Sequence, residues 1–150
     1  VTNTNATKVL RILGSVKKEN AKDLYAGKNC IVLDPQAQRP LIPKDCTNAD
    51  ALIVGGLLGY EKPMGRPKTL ISTTSGFQTR HLGPLQLSID GAVFVIKAIN
   101  LGLHLKDIEI AKEIEIIHDK VHSTILPFGY PIIDNKPVIT PGLVEYLCKQ

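Results

Sequence analysis

The chain has 150 residues, 43% apolar, 21% charged and 5% aromatic, a composition that fits one ordinary globular domain and rules out disordered or collagen-like classes. Its cysteines, Cys30, Cys46 and Cys148, are odd in number and form no C-x-x-C pair, which argues against a zinc ribbon or disulfide framework and for a reducing, cytoplasmic setting. The net charge of +4 resides in residues 1 to 28, where Lys8, Arg11, Lys17, Lys18, Lys22 and Lys28 outweigh Glu19 and Asp23; such a patch suits either a phosphate backbone or a plain solvated face.

The longest apolar stretches, Ala51 to Tyr60 and Ile125 to Ile133, fall far short of the roughly 20 residues that cross a bilayer. A soluble, non-membrane protein is expected, with a core that this length can bury without staples. No charged n-region precedes an apolar stretch at the start, and the first residue is Val1 rather than Met, so no secretory signal is read and a processed or cut chain is expected.

From the N-terminus, Val9, Leu10, Ile12 and Leu13 recur at helical spacing over Ala6 to Leu13, and Ser15 to Tyr25 reads as a second short helix stopped by Gly27. Cys30 to Leu33, ended by Asp34-Pro35, and Ala51 to Val54, ended by Gly55-Gly56, read as buried strands. Between them, Gln36 to Asn48 holds Pro40 and Pro43 and reads as loop with one turn of helix. Residues 59 to 69 hold Gly59, Pro63, Gly65 and Pro67 and read as a structured loop.

Ser88 suits the N-cap of a helix over Ile89 to Leu101, with an apolar face of Ile89, Val93, Ile96, Ala98 and Ile99 and a stop at Gly102. Ile108 to Ile110 and Ile125 to Ile133 read as strands, the second at an edge or bulged because of Pro127 and Pro131. The last helix is Thr140 to Cys148, with Thr140 as N-cap and Pro141 at the first helical position. Alternating strands and helices predict a single α/β domain over residues 1 to 150 with a largely parallel sheet, whose ligand crevice lies beyond the carboxyl ends of the strands.

Two loops directly follow the best strands, Asp34-Pro35-Gln36-Ala37 and Gly55-Gly56-Leu57-Leu58-Gly59. Gly55-Gly56-Leu57-Leu58-Gly59 lacks both the dinucleotide and the P-loop fingerprint; it reads either as a simple turn or as a backbone that a flat nucleoside can approach. Arg80-His81-Leu82-Gly83-Pro84-Leu85-Gln86-Leu87-Ser88 runs into the long helix and reads either as a lead-in or as a second ligand loop. Glu115, His118 and His122 have a spacing that binds metal only on a helix, whereas Ile114-Glu115-Ile116 alternates like a strand, so surface histidines are the better account.

Together, Leu33-Asp34-Pro35-Gln36-Ala37, then Ile53-Val54-Gly55-Gly56-Leu57-Leu58-Gly59 with Pro63-Met64-Gly65-Arg66, then Arg80 to Ser88 with Ile89-Asp90-Gly91-Ala92-Val93, resemble the SPOUT methyltransferases. The branch is the one containing a fungal ribosomal-protein arginine methyltransferase and archaeal relatives described as RNA methyltransferases. Leu126-Pro127-Phe128-Gly129-Tyr130 and Thr140-Pro141-Gly142-Leu143 are similar to that branch as well, so the likeness covers the whole chain.

The resemblance implies an α/β knot, a parallel sheet flanked by helices with a C-terminal trefoil knot, and S-adenosylmethionine as cofactor. It places Pro35, Gly55, Gly56, Leu57, Leu58, Gly59, Leu82, Gly83, Leu85, Gln86 and Leu87 around that cofactor. RNA or a ribosomal-protein arginine is the implied acceptor, and a non-catalytic RNA- or ribosome-binding module is the alternative. The superfamily habit is a homodimer, and the branch also admits a monomer. The family carries a stretch ahead of Val1, so an N-terminal strand is expected to be absent.

Methyl transfer needs alignment and a proton acceptor rather than a covalent intermediate. Asp90 is the first candidate carboxylate and Glu61 the second, with Glu61 also a substrate contact; on its position alone Asp90 reads more readily as a plain first-turn carboxylate favoured by the helix dipole. Arg66, placed with the catalytic residues, and Arg80, placed with substrate, match arginines of the motifs and read either as anion binders or as members of ion pairs. Tyr60 stands where the branch has Asp, and Gly129 where it has Arg, which removes charge near the implied site.

Overall fold

The computed structural model describes Ser15, residues 17–55 and residues 76–149. The elements are α1 (Ala21–Leu24), β1 (Cys30–Leu33), α2 (Pro43–Asn48), β2 (Ala51–Val54), β3 (Gln78–Arg80) and α3 (Ile89–Asn100), then a 3-10 turn (Leu105–Asp107), β4 (Ile110–Ala111), β5 (Ile114–Ile117), β6 (Ser123–Leu126), β7 (Tyr130–Ile133), β8 (Lys136–Pro137) and α4 (Leu143–Leu147). The helix read over Ala6 to Leu13 and the loop over 59 to 69 lie outside the described residues. No helix among the described residues is long and apolar enough to cross a membrane.

β1, β2 and β3 form a parallel sheet in the order β2-β1-β3, with Leu33 opposite both Val54 and Arg80. All three strands therefore end on one edge. β1 is central and buried at every position, whereas β2 is half-buried, so the expectation of two buried strands holds for β1 alone. β3 escaped the sequence reading because Gln78-Thr79-Arg80 contains no apolar residue. The sheet continues past β3: the His81 N–H donates to the Arg39 carbonyl at 2.9 Å, and the Leu41 N–H donates to the His81 carbonyl at 3.0 Å.

A largely parallel sheet is not what the C-terminal half forms. β4, β7 and β8 make a small antiparallel sheet, and β5 pairs with β6 in a separate antiparallel hairpin. The single strand expected over Ile125 to Ile133 is two strands in different sheets, because Pro127 lacks the N–H that would carry a ladder across the corner. The strand expected at Ile108 to Ile110 begins only at Ile110, after the 3-10 turn. The fold is thus mixed α/β around one parallel three-stranded sheet.

α3 is the longest described helix and closes the core. Ser88 caps it, its Oγ accepting the Gly91 N–H at 3.2 Å. Its buried face is Ala92, Val95 and Ile99, packed against Ile31 and Leu33 of β1 with Leu41, Leu82 and Leu87. Val95 and Ile99 are fully covered, each worth about 1.5–3 kcal/mol of burial. The expected face was rotated: Ile89 and Val93 are exposed at 44% and 51%, since this helix is apolar on more than one side and the sheet selects which stripe it covers.

Two further helices differ from expectation. α1 begins at Ala21 rather than near Ser15, with extended Asn20 ahead of it. α4 begins at Leu143, with Gly142 in the capping position and without a side-chain cap; Thr140 is engaged elsewhere.

Candidate functional site

The three loops singled out in the sequence all leave the same edge of the parallel sheet. After β1 the buried Asp34 folds the chain back on itself: its Oδ1 accepts the Gln36 N–H at 2.9 Å and its carbonyl accepts the Ala37 N–H at 3.0 Å, with Pro35 exposed at the bend. After β2, Gly55 is half-buried; Gly56, Leu57, Leu58, Gly59, Tyr60, Glu61 and Arg66 lie outside the described residues.

The third loop is the best defined. The Gly83 N–H donates to His81 Nδ1 at 3.0 Å, so a neutral His81 carries its proton on Nε2. Gly83 has φ +101°, and the place a Cβ would take has no atom of the described residues within 4 Å. A cleft of about 610 Å³ opens there, with Pro40 to Ile42 on one wall, His81 to Leu85 on a second, and His104 to Lys106, Ile108 and Ile110 on a third. Leu82, Gly83 and Leu85 are on its walls; Pro35, Gly55, Gln86 and Leu87 are not.

Leu87 points into the core, and the Gln86 carbonyl accepts the Gly129 N–H at 2.8 Å, so the end of this loop is stitched to the start of β7. Gly129 is what lets them touch. A Cβ there would come 2.8 Å from Leu87 Cδ2 and 3.2 Å from both Leu85 Cβ and Ile110 Cγ2.

Beyond the loop lies a polar cluster at the head of α3. Asp90 Oδ2 accepts the Thr140 hydroxyl at 2.7 Å and the Thr140 N–H at 3.1 Å. Burial works to raise the Asp90 carboxyl, but hydrogen bonds from Ser88, Thr140 and the backbone N–H groups of Gly91 and Asp90 outweigh it and hold the group below its ordinary value. Tyr130 of β7 is buried at 3% exposure; burial, then the Asp90 charge, push its phenol up against a smaller lowering by Ser88. Gly91 keeps this corner open, since a Cβ would sit 2.8 Å from Ser88 Oγ.

Of the two roles open to Arg80, the ion pair is present: its Nε and Nη2 donate to Asp45 at 2.8 and 3.0 Å, Nη1 donates to the Thr79 carbonyl and Nη2 to Gln78. The histidines are spread apart. His118 Nε2 lies 2.7 Å from Thr124 Oγ1, His122 pairs with Asp119, and Glu115 accepts from Ser123, all on the β5–β6 hairpin rather than on a helix. Burial pushes the Cys30 and Cys46 thiols up, leaving Cys148 exposed. Of the basic patch, Lys17, Lys18, Lys22 and Lys28 are described, and all but the half-buried Lys22 are exposed.

Sequence reasoning missed the first and third cleft walls and the partners of Asp90. His81 and His104 both line the cleft, on different walls. No local spacing signals these contacts, because each joins segments brought together by the sheet.

The family described as protein arginine N-methyltransferase SFM1-like matches residues 2–150. Protein arginine N-methyltransferase SFM1 of Saccharomyces cerevisiae is 31% identical over 137 residues, covering 87% of this chain and 64% of that relative, so the chain spans less than two thirds of its length. Two crystal structures of the yeast enzyme are similar at TM-score 0.74 and 29% identity: one with S-adenosylhomocysteine, covering 83% of this chain and 60% of that one, and one with S-adenosylmethionine, covering 81% and 56%. A structure described as a novel protein arginine methyltransferase shares the fold at TM-score 0.80 and 24% identity, over 95% of this chain and 76% of that one. On the match over nearly all of its residues, the chain belongs to the SFM1-like family of protein arginine N-methyltransferases.

Proposed function

We propose that this protein transfers a methyl group from S-adenosylmethionine to the guanidinium of a protein arginine, within one SPOUT-type domain whose C-terminal part forms a trefoil knot, and that it works in the cytoplasm. The observation that carries the reading is the Gly83 turn, on the edge where all three strands end: its positive φ and a Cβ position that none of the described residues fills leave main chain open to a flat ligand. Membership in the SFM1-like family and the likeness to structures complexed with S-adenosylmethionine and S-adenosylhomocysteine support the same choice of cofactor.

The residues present suit that cofactor. The cleft beside Gly83 has mainly apolar walls for a ring, supplied by Leu82, Leu85, Leu105 and Ile108, and the loop backbone supplies groups for hydrogen bonds. Pro35, Gly55 to Gly59 and Gln86 are proposed to complete the enclosure, with Leu87 contributing main chain because its side chain is in the core. When bound, the cofactor supplies an electrophilic methyl on a sulfonium, which leaves as a neutral thioether with the carbon–sulfur electron pair.

The chain has two tasks, to hold the acceptor nitrogen in line and to receive its proton. The nitrogen lone pair forms the new nitrogen–carbon bond, and the product guanidinium carries one proton fewer on that nitrogen. Asp90 is proposed to take this proton and pass it to water. A carboxylate held below its ordinary pKa still suffices, because alkylation makes the nitrogen strongly acidic. Ionised Asp90 also attracts the guanidinium, and Arg66 and Glu61 are proposed to line the acceptor side.

Incubation with methyl-labelled S-adenosylmethionine and a ribosomal extract tests the reading. Label in arginine of a protein is expected. Label in RNA moves the acceptor to nucleic acid, and cofactor binding without transfer, or no binding at millimolar S-adenosylhomocysteine by calorimetry, favours the RNA- or ribosome-binding module.

A further inference from the structure

Asp90 and Thr140 are fifty positions apart in the chain, yet both donors of Thr140 converge on a single carboxylate oxygen. A threonine just ahead of a helix ordinarily spends its hydroxyl on that helix's free N–H groups. Thr140 does not: Gly142 occupies the cap of α4, without a side-chain bond, and α4 buries none of its own residues. The hydroxyl is instead committed across the fold to the first turn of α3, beside the loop that carries Gly83.

We propose that Thr140 is a positioning residue for methyl transfer, fixing Oδ2 of Asp90 so that the carboxylate keeps one orientation toward the acceptor guanidinium. The inference rests on the reading of Asp90 given above. Two donors on Oδ2 resist rotation of the carboxylate about its Cβ–Cγ bond more than the backbone N–H does alone. The same bonds favour the ionised form. From β7 the phenol of Tyr130 faces the group; otherwise burial and hydrogen bonds from Ser88, Thr140 and the backbone set its ionisation among the described residues.

Thr140→Val keeps the branched shape and the backbone donor and removes only the hydroxyl, while Thr140→Ser restores it. Three quantities are read: the carboxyl-carbon NMR titration of Asp90, calorimetric affinity for S-adenosylhomocysteine, and transfer rate from methyl-labelled S-adenosylmethionine to ribosomal extract at saturating cofactor. In Thr140→Val the Asp90 titration moves to higher pH and the rate falls about tenfold with affinity unchanged; Thr140→Ser returns both. A Thr140→Val rate equal to wild type overturns the proposal, as does a joint loss of rate and affinity with the Asp90 titration unmoved. An active wild type with an unaffected Thr140→Val removes this inference alone. A wild type that binds S-adenosylhomocysteine and labels no protein removes the activity reading and this inference with it.

Discussion

Arg80 grips Asp45 with two parallel bonds, Nε to Oδ2 at 2.8 Å and Nη2 to Oδ1 at 3.0 Å, and so ties the end of β3 to the first turn of α2. The same carboxylate accepts the Ile42 N–H at 3.3 Å, which steadies the wall of the cleft that Ile42 lines. Side-chain exposures of 13% and 15% leave the pair only partly screened by water.

Lysine cannot reproduce that fork. Arg80→Lys is expected to lower unfolding free energy by roughly 1.5–3 kcal/mol, read by urea denaturation, with affinity for S-adenosylhomocysteine retained. Lost affinity at unchanged stability would return Arg80 to the role of anion binder.

Gly83→Val adds a branched side chain where the structure has open cleft, at a backbone angle that costs an L-residue about 1–2 kcal/mol. The chain should stay folded by circular dichroism, with a modestly lower Tm, while cofactor affinity falls about tenfold or more. Calorimetry showing wild-type affinity would detach this turn from the cofactor.

Gly129→Ala tests the stitch between the third loop and β7. The added methyl must displace Leu87 or spread Leu85 and Ile110, an overpacking that costs about 1–3 kcal/mol. Because the displaced atoms belong to the loop beside Gly83, cofactor affinity should weaken with stability. A Gly129→Ala protein that matches wild type in Tm and in binding would show the junction to be loosely packed.

Asp90 makes stability depend on pH with a definite sign. Its folded pKa lies below the unfolded value of about 3.9, so its contribution is complete above about pH 4 and disappears as pH falls through the lower folded value. Urea unfolding should show wild type more stable than Asp90→Asn at pH 7, with the gap closing toward pH 2. In transfer assays at pH 7, Asp90→Asn should lower the rate about 100-fold and leave cofactor affinity in place; equal losses in both would make the carboxylate a structural clamp only.

Local pattern decided much of this protein. The bounds of β1 and β2 could be read directly, because a short β-branched run closed by Asp-Pro or Gly-Gly has little alternative, and Ser88 ahead of an apolar run fixed the start of α3. The first two loops proposed to meet the cofactor were legible for the same reason, as glycine or proline directly after a strand, and the third as a Gly-Pro turn running into α3. Tertiary structure alone decided which stripe of α3 is buried, since Ile89 and Val93 are as apolar as the residues that won. It also placed polar β3 in the sheet, divided Ile125 to Ile133 between two sheets, and drew Thr140 from its own helix to Asp90. Each depends on partners tens of residues away, and a spacing pattern within one segment carries no record of what the rest of the chain will bring against it.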